Sequence, residues 1–168
     1  AEVIERLLSD GNAYRCVCTK DELETRKQAT LAAGGKWTYD GKCRDAAHDP
    51  DCGEHTVRLR LREGVIGWDD LVFGPSGQDA SEIGDKIIRR SDGGALFRLA
   101  VVVDDHDMGI SHVIRGDDHL TNAFRQAQIY AALGWDLPKF AHMPLLHGSD
   151  GKKLSKRHGS LGVEAYRA

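Results

Sequence analysis

The sequence of 168 residues contains no apolar run approaching the roughly 18 residues of a membrane-spanning helix, which excludes helical insertion into a bilayer. It has no basic excess either. With 23 Lys+Arg against 26 Asp+Glu the formal charge is −3, so any contact with a nucleic acid must come from local patches, and a histone-like binder is excluded. No initiator Met and no basic-then-apolar signal segment opens the chain. The start AEVIERLLSDG is amphipathic and reads as the interior of something longer. Internal repeats are absent, as are G-x-x-x-x-G-K-[ST] and G-x-G-x-x-G, so neither a simple P-loop nor a dinucleotide fingerprint holds phosphate here. What is present, 40% hydrophobic and 29% charged residues, fits a soluble globular protein of one complete domain or two partial ones.

Cysteine is sparse and confined to the first third: Cys16, Cys18, Cys43 and Cys52. Two disulfides in any of three pairings are formally open, but nothing indicates export, and a reduced, cytoplasmic setting is expected. A catalytic thiol pair is disfavoured because Cys-X-Cys is not Cys-X-X-Cys and no strand-then-helix pattern surrounds it. The spacing brings thiols from two separated segments together, as a structural zinc site does. The fourth ligand stays open among Asp45, Cys52, His48 and His55, and the alternative is a set of merely buried thiols.

Along the chain, Val3, Ile4, Leu7 and Leu8 recur at helical spacing, with Gly11 as a stop. Thr19 can cap a second helix carrying Asp21 and Glu22 in its first turn and ended by Gly34 and Gly35. From Thr56, Val57, Leu59 and Leu61 alternate with Arg58, Arg60 and Arg62, a period of two that sends the apolar residues inward and the arginines outward. WDDLVFG is expected to be that strand's partner and PSGQDASEIGD a loop. In the second half, ALFRLAVVVDD, ISHVIRGDD and FAHMPLLHG each read as a buried strand, with a helix from Thr121 to about Leu133, stopped by Gly134, between the last two. Strand, helix, strand is a βαβ crossover, and ligands of open parallel sheets bind beyond the carboxyl ends of such strands.

The densest chemical motif is GKKLSKRHGS, where Lys152, Lys153, Lys156 and Arg157 flank Ser155 between two glycines. It suits a polyphosphate; the alternative is an ordinary solvated basic loop. KLSKR resembles the KMSKS signature of class I aminoacyl-tRNA synthetases. Together with RRSDG, LAVVVDDHDMGISHVIRGDDHLTNAFRQ, LSKRHG, the Cys-X-Cys pair, YDGKCRD and WDDLVFG, it makes essentially the whole chain resemble the bacterial glutamyl-tRNA synthetase family.

The resemblance implies an α/β fold: the second half of a Rossmann-like parallel sheet, preceded by a small α+β inserted module. It divides the chain into an acceptor-binding module over 1–90, the second half of the catalytic domain over 91–147, and the signature loop with the start of a further domain over 148–168. It implies that Lys153 and Lys156 are catalytic, Lys156 stabilising charge on the phosphates of ATP. Asp118, Met143, Leu145, Leu146, Ser155 and Lys156 would bind ATP; the alternative for Asp118 is a helix N-cap, a role compatible with the first. Phe97, Val101 and Arg115 would bind L-glutamate, the Arg115 fork meeting a carboxylate; the alternative for Arg115 is a structural ion pair with Asp117 or Asp104. Arg58, Arg60, Arg62, Arg89 and Arg90, with Lys86, would face the acceptor stem of tRNA, or else form a solvated strand face. Cys16, Cys18, Cys43 and Asp45 would bind Zn²⁺, with Cys52 as alternative fourth ligand, and Mg²⁺ would accompany ATP.

Two departures from the family pattern stand out. Ala95-Leu96-Phe97 replaces Pro-Thr-Tyr, keeping a ring and losing a hydroxyl, and Asp45 replaces a histidine. The family's HIGH-like motif and anticodon-binding domains do not occur in these residues, so the segment is expected to be inactive alone. Rival readings are a paralogue that glutamylates a modified tRNA base, and a non-catalytic RNA-binding or zinc module.

Overall fold

The computed structural model describes residues 1–148 and 151–154. Helix α1 (Glu2–Ser9) buries Ile4 and Leu7, as the spacing predicts, and the chain turns at Gly11, whose φ of 70° suits a residue without a Cβ. Strand β1 (Ala13–Cys16) follows, then α2 (Lys20–Ala32), which Thr19 starts with a reciprocal capping box: its hydroxyl accepts from Glu22 N–H, and the Glu22 carboxylate accepts from Thr19 N–H. No α2 residue is buried, so this helix lies on the surface and the capping carries its start.

The central strand of the first sheet is β2 (Thr56–Leu59), paired antiparallel with β1 on one side and β5 (Ile87–Arg89) on the other. Val57, Leu59 and Leu61 face the core as expected. Arg58 corrects the simple alternation: it too is buried, because the 39–45 loop covers the other face of β2. Its guanidinium lies 3.7 Å from the Tyr39 ring centroid and donates to the Asp85 carbonyl at 3.0 Å.

The expected pairing of WDDLVFG is also corrected. Strand β3 (Val65–Asp70) pairs not with β2 but with β4 (Gly74–Asp79), which occupies the stretch read as a loop, and helix α3 (Ala80–Ile83) follows. Side-chain bulk is excluded at one point of this hairpin: a Cβ on Gly67 would stand 2.8 Å from the Ser76 carbonyl oxygen.

The largest correction concerns ALFRLAVVVDD. Its apolar run and valines predict a strand, but residues Phe97–Asp107 form helix α4. Leu99 and Val102, three apart, enter the core while Asp104 and Asp107 stay exposed. Gly109, at φ 66°, ends the helix in a Schellman turn, with Ile110 N–H on Asp105 O and Gly109 N–H on His106 O. One-sided burial over eleven residues and a glycine stop outweigh the modest strand preference of valine.

The crossover is present as predicted. Strand β6 (His112–Gly116) leads through a 3₁₀ turn (Asp117–His119) into α5 (Leu120–Leu133), and β7 (Lys139–Met143) returns parallel to β6. Gly134 closes α5 in the left-handed conformation, and Phe124, Ala127 and Tyr130 are buried, whereas Ala131 is not. β7 is buried through Phe140, Ala141 and His142; β6 is not the buried strand expected, because its only strand neighbour among the described residues is β7 and Ile114 stays exposed. One core unites the halves, with Leu7, Val57 and Leu59 in the same cluster as Leu99, Val102, Phe124 and Leu133.

Asp85 is the buried polar anchor of the first sheet. Its carboxylate accepts from Tyr14 Oη (2.5 Å), Arg44 Nε (2.8 Å), Arg44 Nη2 (2.7 Å) and Leu61 N–H (3.0 Å). Burial and the neighbouring carboxylate both push the Tyr14 hydroxyl far above its ordinary pKa, so it serves only as a donor. Asp85→Ala should cost about 3 kcal/mol in a denaturant melt, the low end for a broken buried charge pair because the Arg44 side chain remains 34% exposed. Asp45→Ala, which removes an exposed pair with Arg60, should cost under about 1 kcal/mol.

Candidate functional site

The carboxyl ends of β6 and β7 bring together most of the residues singled out beyond position 90. Gly116 is pressed between two of them: a Cβ there would fall 2.7 Å from Asp118 Oδ1 and 2.8 Å from Leu145 Cδ2, so the strand must end in glycine for that side chain to fold back. The Asp118 carboxylate accepts from Lys153 Nζ, and this bond holds its pKa below the usual carboxylate range. Asp118 is corrected as a helix cap, since the residue at the start of α5 is His119 and no side chain caps it. Lys153 reaches Asp118 because the chain doubles back after β7, with Leu154 N–H on Leu146 O at 2.9 Å and His147 bridged to Lys153. Met143 and Leu146 stay exposed beside this ion pair, an apolar shelf next to a charged one. Phe97 is also exposed, at the first turn of α4, with the half-buried Val101 one turn on. Ser155, Lys156 and Arg157 lie outside the described residues.

Arg115 ends up in neither of the ion pairs first weighed for it. Its Nε donates to His142 Nε2 at 3.2 Å and its Nη2 to Gln126 Oε1 at 2.8 Å. Burial lowers its pKa from the ordinary guanidinium value, opposed by the charges of Asp105 and Asp70, and the group remains a cation. Behind it, His142 Nδ1 lies 2.6 Å from Asp70 Oδ2, both side chains fully buried. Burial works against a charge on Asp70, yet the imidazole and the N–H groups of His142, Val72 and Phe73 hold its carboxyl far below the usual range. Sequence reading missed Asp70, His142 and Gln126. Nothing local marks Asp70, whose partner is 72 residues away.

The second cluster is the predicted thiol group. The Sγ atoms of Cys16, Cys18 and Cys43 lie within 4.8 Å of one another, and Cys18 and Cys43 are 3.6 Å apart. The fourth group at this centre is the Tyr39 hydroxyl, 3.4 Å from Cys16 Sγ and 3.6 Å from Cys18 Sγ, and accepting from Cys43 N–H at 3.1 Å. Tyr39, four residues before Cys43 in YDGKCRD, is the ligand-type residue that the spacing of thiols alone did not flag. Asp45 is corrected as a fourth ligand: its carboxylate pairs with Arg60 Nη1 at 3.0 Å and its side chain is 85% exposed. Cys52, His48 and His55 are likewise outside the group; His55 Nε2 meets Arg89 Nη2 at 2.7 Å. Burial raises the Cys16 thiol, but hydrogen bonding to Tyr39 and the nearby Arg58 more than offset it, leaving about 7, whereas burial pushes Cys18 up to about 11.

The expected basic face divides. Arg58 is buried and held by Tyr39 and Asp85, so it is withdrawn from any surface for RNA. Arg60 is engaged with Asp45 and the Arg44 carbonyl, and Arg89 with Glu5 and His55, while Arg62 and Arg90 are exposed, Arg90 in a surface pair with Asp92 at 3.2 Å.

This arrangement can be set beside known proteins. The sequence model described as tRNA synthetases class I (E and Q), catalytic domain, matches residues 1–168. The chain belongs to that family. Among curated relatives, Glutamate--tRNA ligase 2 of Paramagnetospirillum magneticum is 53% identical over 170 residues, covering 99% of this chain and 36% of its own length. Glutamate--tRNA ligase 1 of Xanthobacter autotrophicus is 52% identical over 167 residues, with 98% and 36% covered. A crystal structure of a glutamate tRNA ligase from Elizabethkingia meningosepticum in complex with its amino acid superposes with a TM-score of 0.79 at 28% identity, covering 94% of this chain and 35% of that one. The class I synthetase chain thus spans about a third of the length of its relatives. No helix among the described residues is long and apolar enough to cross a membrane.

Proposed function

We propose that the whole protein to which this chain contributes is a cytoplasmic glutamate–tRNA ligase. The observation that carries the reading is the assembly, at the carboxyl ends of β6 and β7, of a positioned arginine fork and an Asp118–Lys153 ion pair within a class I (E and Q) catalytic domain. In the first step a glutamate α-carboxylate oxygen attacks the α-phosphorus of ATP, and the P–O bond to the departing pyrophosphate breaks. In the second a hydroxyl at the 3′ end of tRNA attacks the activated carbonyl and AMP leaves.

Arg115 binds a carboxylate of L-glutamate beside Phe97 and Val101. Asp118, Met143, Leu145 and Leu146 form the bed for ATP, and Lys153, Ser155 and Lys156 oppose the charge that develops on its phosphates. In the structure Lys153 is held by Asp118, which keeps its ammonium at the strand ends. Mg²⁺ supplies further charge neutralisation when bound with ATP. The segment 1–90 serves as the acceptor-stem module, 91–147 as the second half of the nucleotide fold, and 148–168 as the signature loop leading onward. Arg62 and Arg90, with Arg60 and Arg89 at their margins, supply its local positive face for glutamate-accepting tRNA.

The thiol group fits a structural zinc ion. Three sulfurs bonded tetrahedrally at about 2.3 Å stand roughly 3.8 Å from one another, comparable with the Cys18–Cys43 separation of 3.6 Å and the 4.8 Å limit within the group, and the Tyr39 hydroxyl would supply the fourth ligand. Such an ion would cross-link β1 to the 39–43 loop. Cys16, Cys18, Cys43 and Tyr39 would hold it, and the nearby Arg58 favours the thiolate of Cys16.

Glutamate-dependent ATP–pyrophosphate exchange by the full-length protein, assayed with and without tRNA, tests the reaction. Exchange specific to glutamate, reduced by about 10² or more in Lys156→Ala, is expected; absence of exchange with any amino acid would leave the RNA-binding alternative. Metal analysis of protein purified without chelator tests the second centre. Close to one zinc per chain is expected, falling to background in Cys43→Ala, and less than about a tenth of an equivalent in the unaltered protein contradicts it.

A further inference from the structure

The buried Asp70–His142 pair is used by no step above, although among the carboxylate–base pairs of the described residues it alone has both side chains at 0% exposure. Burying a carboxylate and an imidazole is costly unless each lone pair and proton is used, so the pattern of partners is informative. Arg115 Nε carries a hydrogen and can only donate, so His142 Nε2 presents a lone pair to it. The single proton of the neutral ring is then on Nδ1 and is donated to Asp70 Oδ2, which also accepts a longer bond from Trp68 Nε1 at 3.4 Å. The other oxygen, Oδ1, accepts three backbone bonds, from His142 N–H (3.1 Å), Val72 N–H (3.1 Å) and Phe73 N–H (3.2 Å). Asp70 is thereby fixed by the turn of the β3–β4 hairpin, the ring is fixed by Asp70, and the guanidinium is fixed by the ring on Nε and by Gln126 on Nη2.

We infer that Asp70 and His142 are positioning residues for substrate glutamate: by locking His142 in its Nδ1-protonated form they offer Arg115 an acceptor and set the plane of its fork. The inference rests on the reading that Arg115 binds the glutamate carboxylate. A neutral ring of the opposite tautomer would turn an N–H toward the Nε–H of Arg115, two donors face to face, and the arginine would rotate away from Phe140, over whose ring it sits at 5.3 Å.

Asp70→Asn makes that reversal without emptying the site. The amide oxygen is confined to the Oδ1 position, where it keeps three backbone donors at 3.1–3.2 Å, since an NH₂ there would oppose all three, whereas an NH₂ at the Oδ2 position opposes only the longer Trp68 Nε1 bond of 3.4 Å. The NH₂ therefore occupies the Oδ2 position and donates to His142 Nδ1, driving the ring proton to Nε2.

The test uses the full-length protein in four forms: unaltered, Asp70→Asn, Arg115→Ala and, for signal assignment alone, His142→Gln. In exchange kinetics Asp70→Asn is expected to raise the KM for glutamate about tenfold, with the KM for ATP within about twofold and kcat largely kept. A merely structural role would lower kcat or move both KM values together, and either result overturns the inference. Histidine-selective ¹⁵N NMR, with the His142 signal assigned by its loss in His142→Gln, is expected to show a protonated Nδ1 and an unprotonated Nε2, exchanged in Asp70→Asn. The opposite tautomer in the unaltered protein overturns the inference whatever the kinetics. Arg115→Ala separates the two levels. If it leaves the glutamate KM unchanged, the glutamate reading of Arg115 fails and the positioning role with it; if it raises that KM while Asp70→Asn does not, only the positioning role fails.

Discussion

A single buried carboxylate determines how the two halves of this chain meet. Asp70 closes the β3–β4 turn with one oxygen and grips β7 with both, through the backbone and the ring of His142. A second backbone bond, Leu71 N–H to Phe140 O at 2.8 Å, runs alongside, and Trp68 packs against Phe124 and Phe140 with ring centroids 4.6 and 5.3 Å away. Hydrogen bonds supply direction and the aromatic contacts supply most of the burial. Because the hairpin belongs to the first part of the chain and β7 to the crossover, this joint sets where the strand ends stand relative to everything before residue 90. The guanidinium of Arg115 is the last link of the same network.

The first sheet is organised by a comparable but separate device. There Asp85 gathers Tyr14, Arg44 and Leu61, while Arg58 is drawn inward between the Asp85 carbonyl and the Tyr39 ring. Tyr39 links this to the thiols, since the same side chain lies against the sulfurs and under the buried Arg58 cation. The chemistry of the thiols reflects that placement: Tyr39 and Arg58 favour a thiolate on Cys16, and burial disfavours one on Cys18.

What was legible in the sequence was what depends on short range. The Thr19 cap of α2, the glycine stop after α5 and the strand–helix–strand order of the crossover are local signals, and all stand in the structure. The thiol cluster was legible because two of its members are two residues apart. ALFRLAVVVDD was misread because a helix that buries one side and carries three valines has nearly the composition of a buried strand, and the deciding feature was Gly109 beyond its end. The arginine alternation failed at Arg58 because a loop well upstream in the chain covers that face, which no period of two can announce. Asp70, His142 and Gln126 were invisible for the same reason in stronger form, since their meaning arises only when β7 is laid beside the hairpin. Position relative to Cys43 points to Asp45, but the fold pairs Asp45 with Arg60 and sets the Tyr39 hydroxyl against the thiols.

The central claim is that the network behind Arg115 aims its fork at the amino-acid substrate. A crystal structure of the full-length protein with L-glutamate and a non-hydrolysable ATP analogue tests it most directly. The account predicts a glutamate carboxylate in hydrogen-bond contact with the Arg115 guanidinium, at about 2.7–2.9 Å, while Nε remains on His142 and His142 remains on Asp70. A glutamate bound away from Arg115, or an Arg115 that must leave His142 to reach it, would contradict the account.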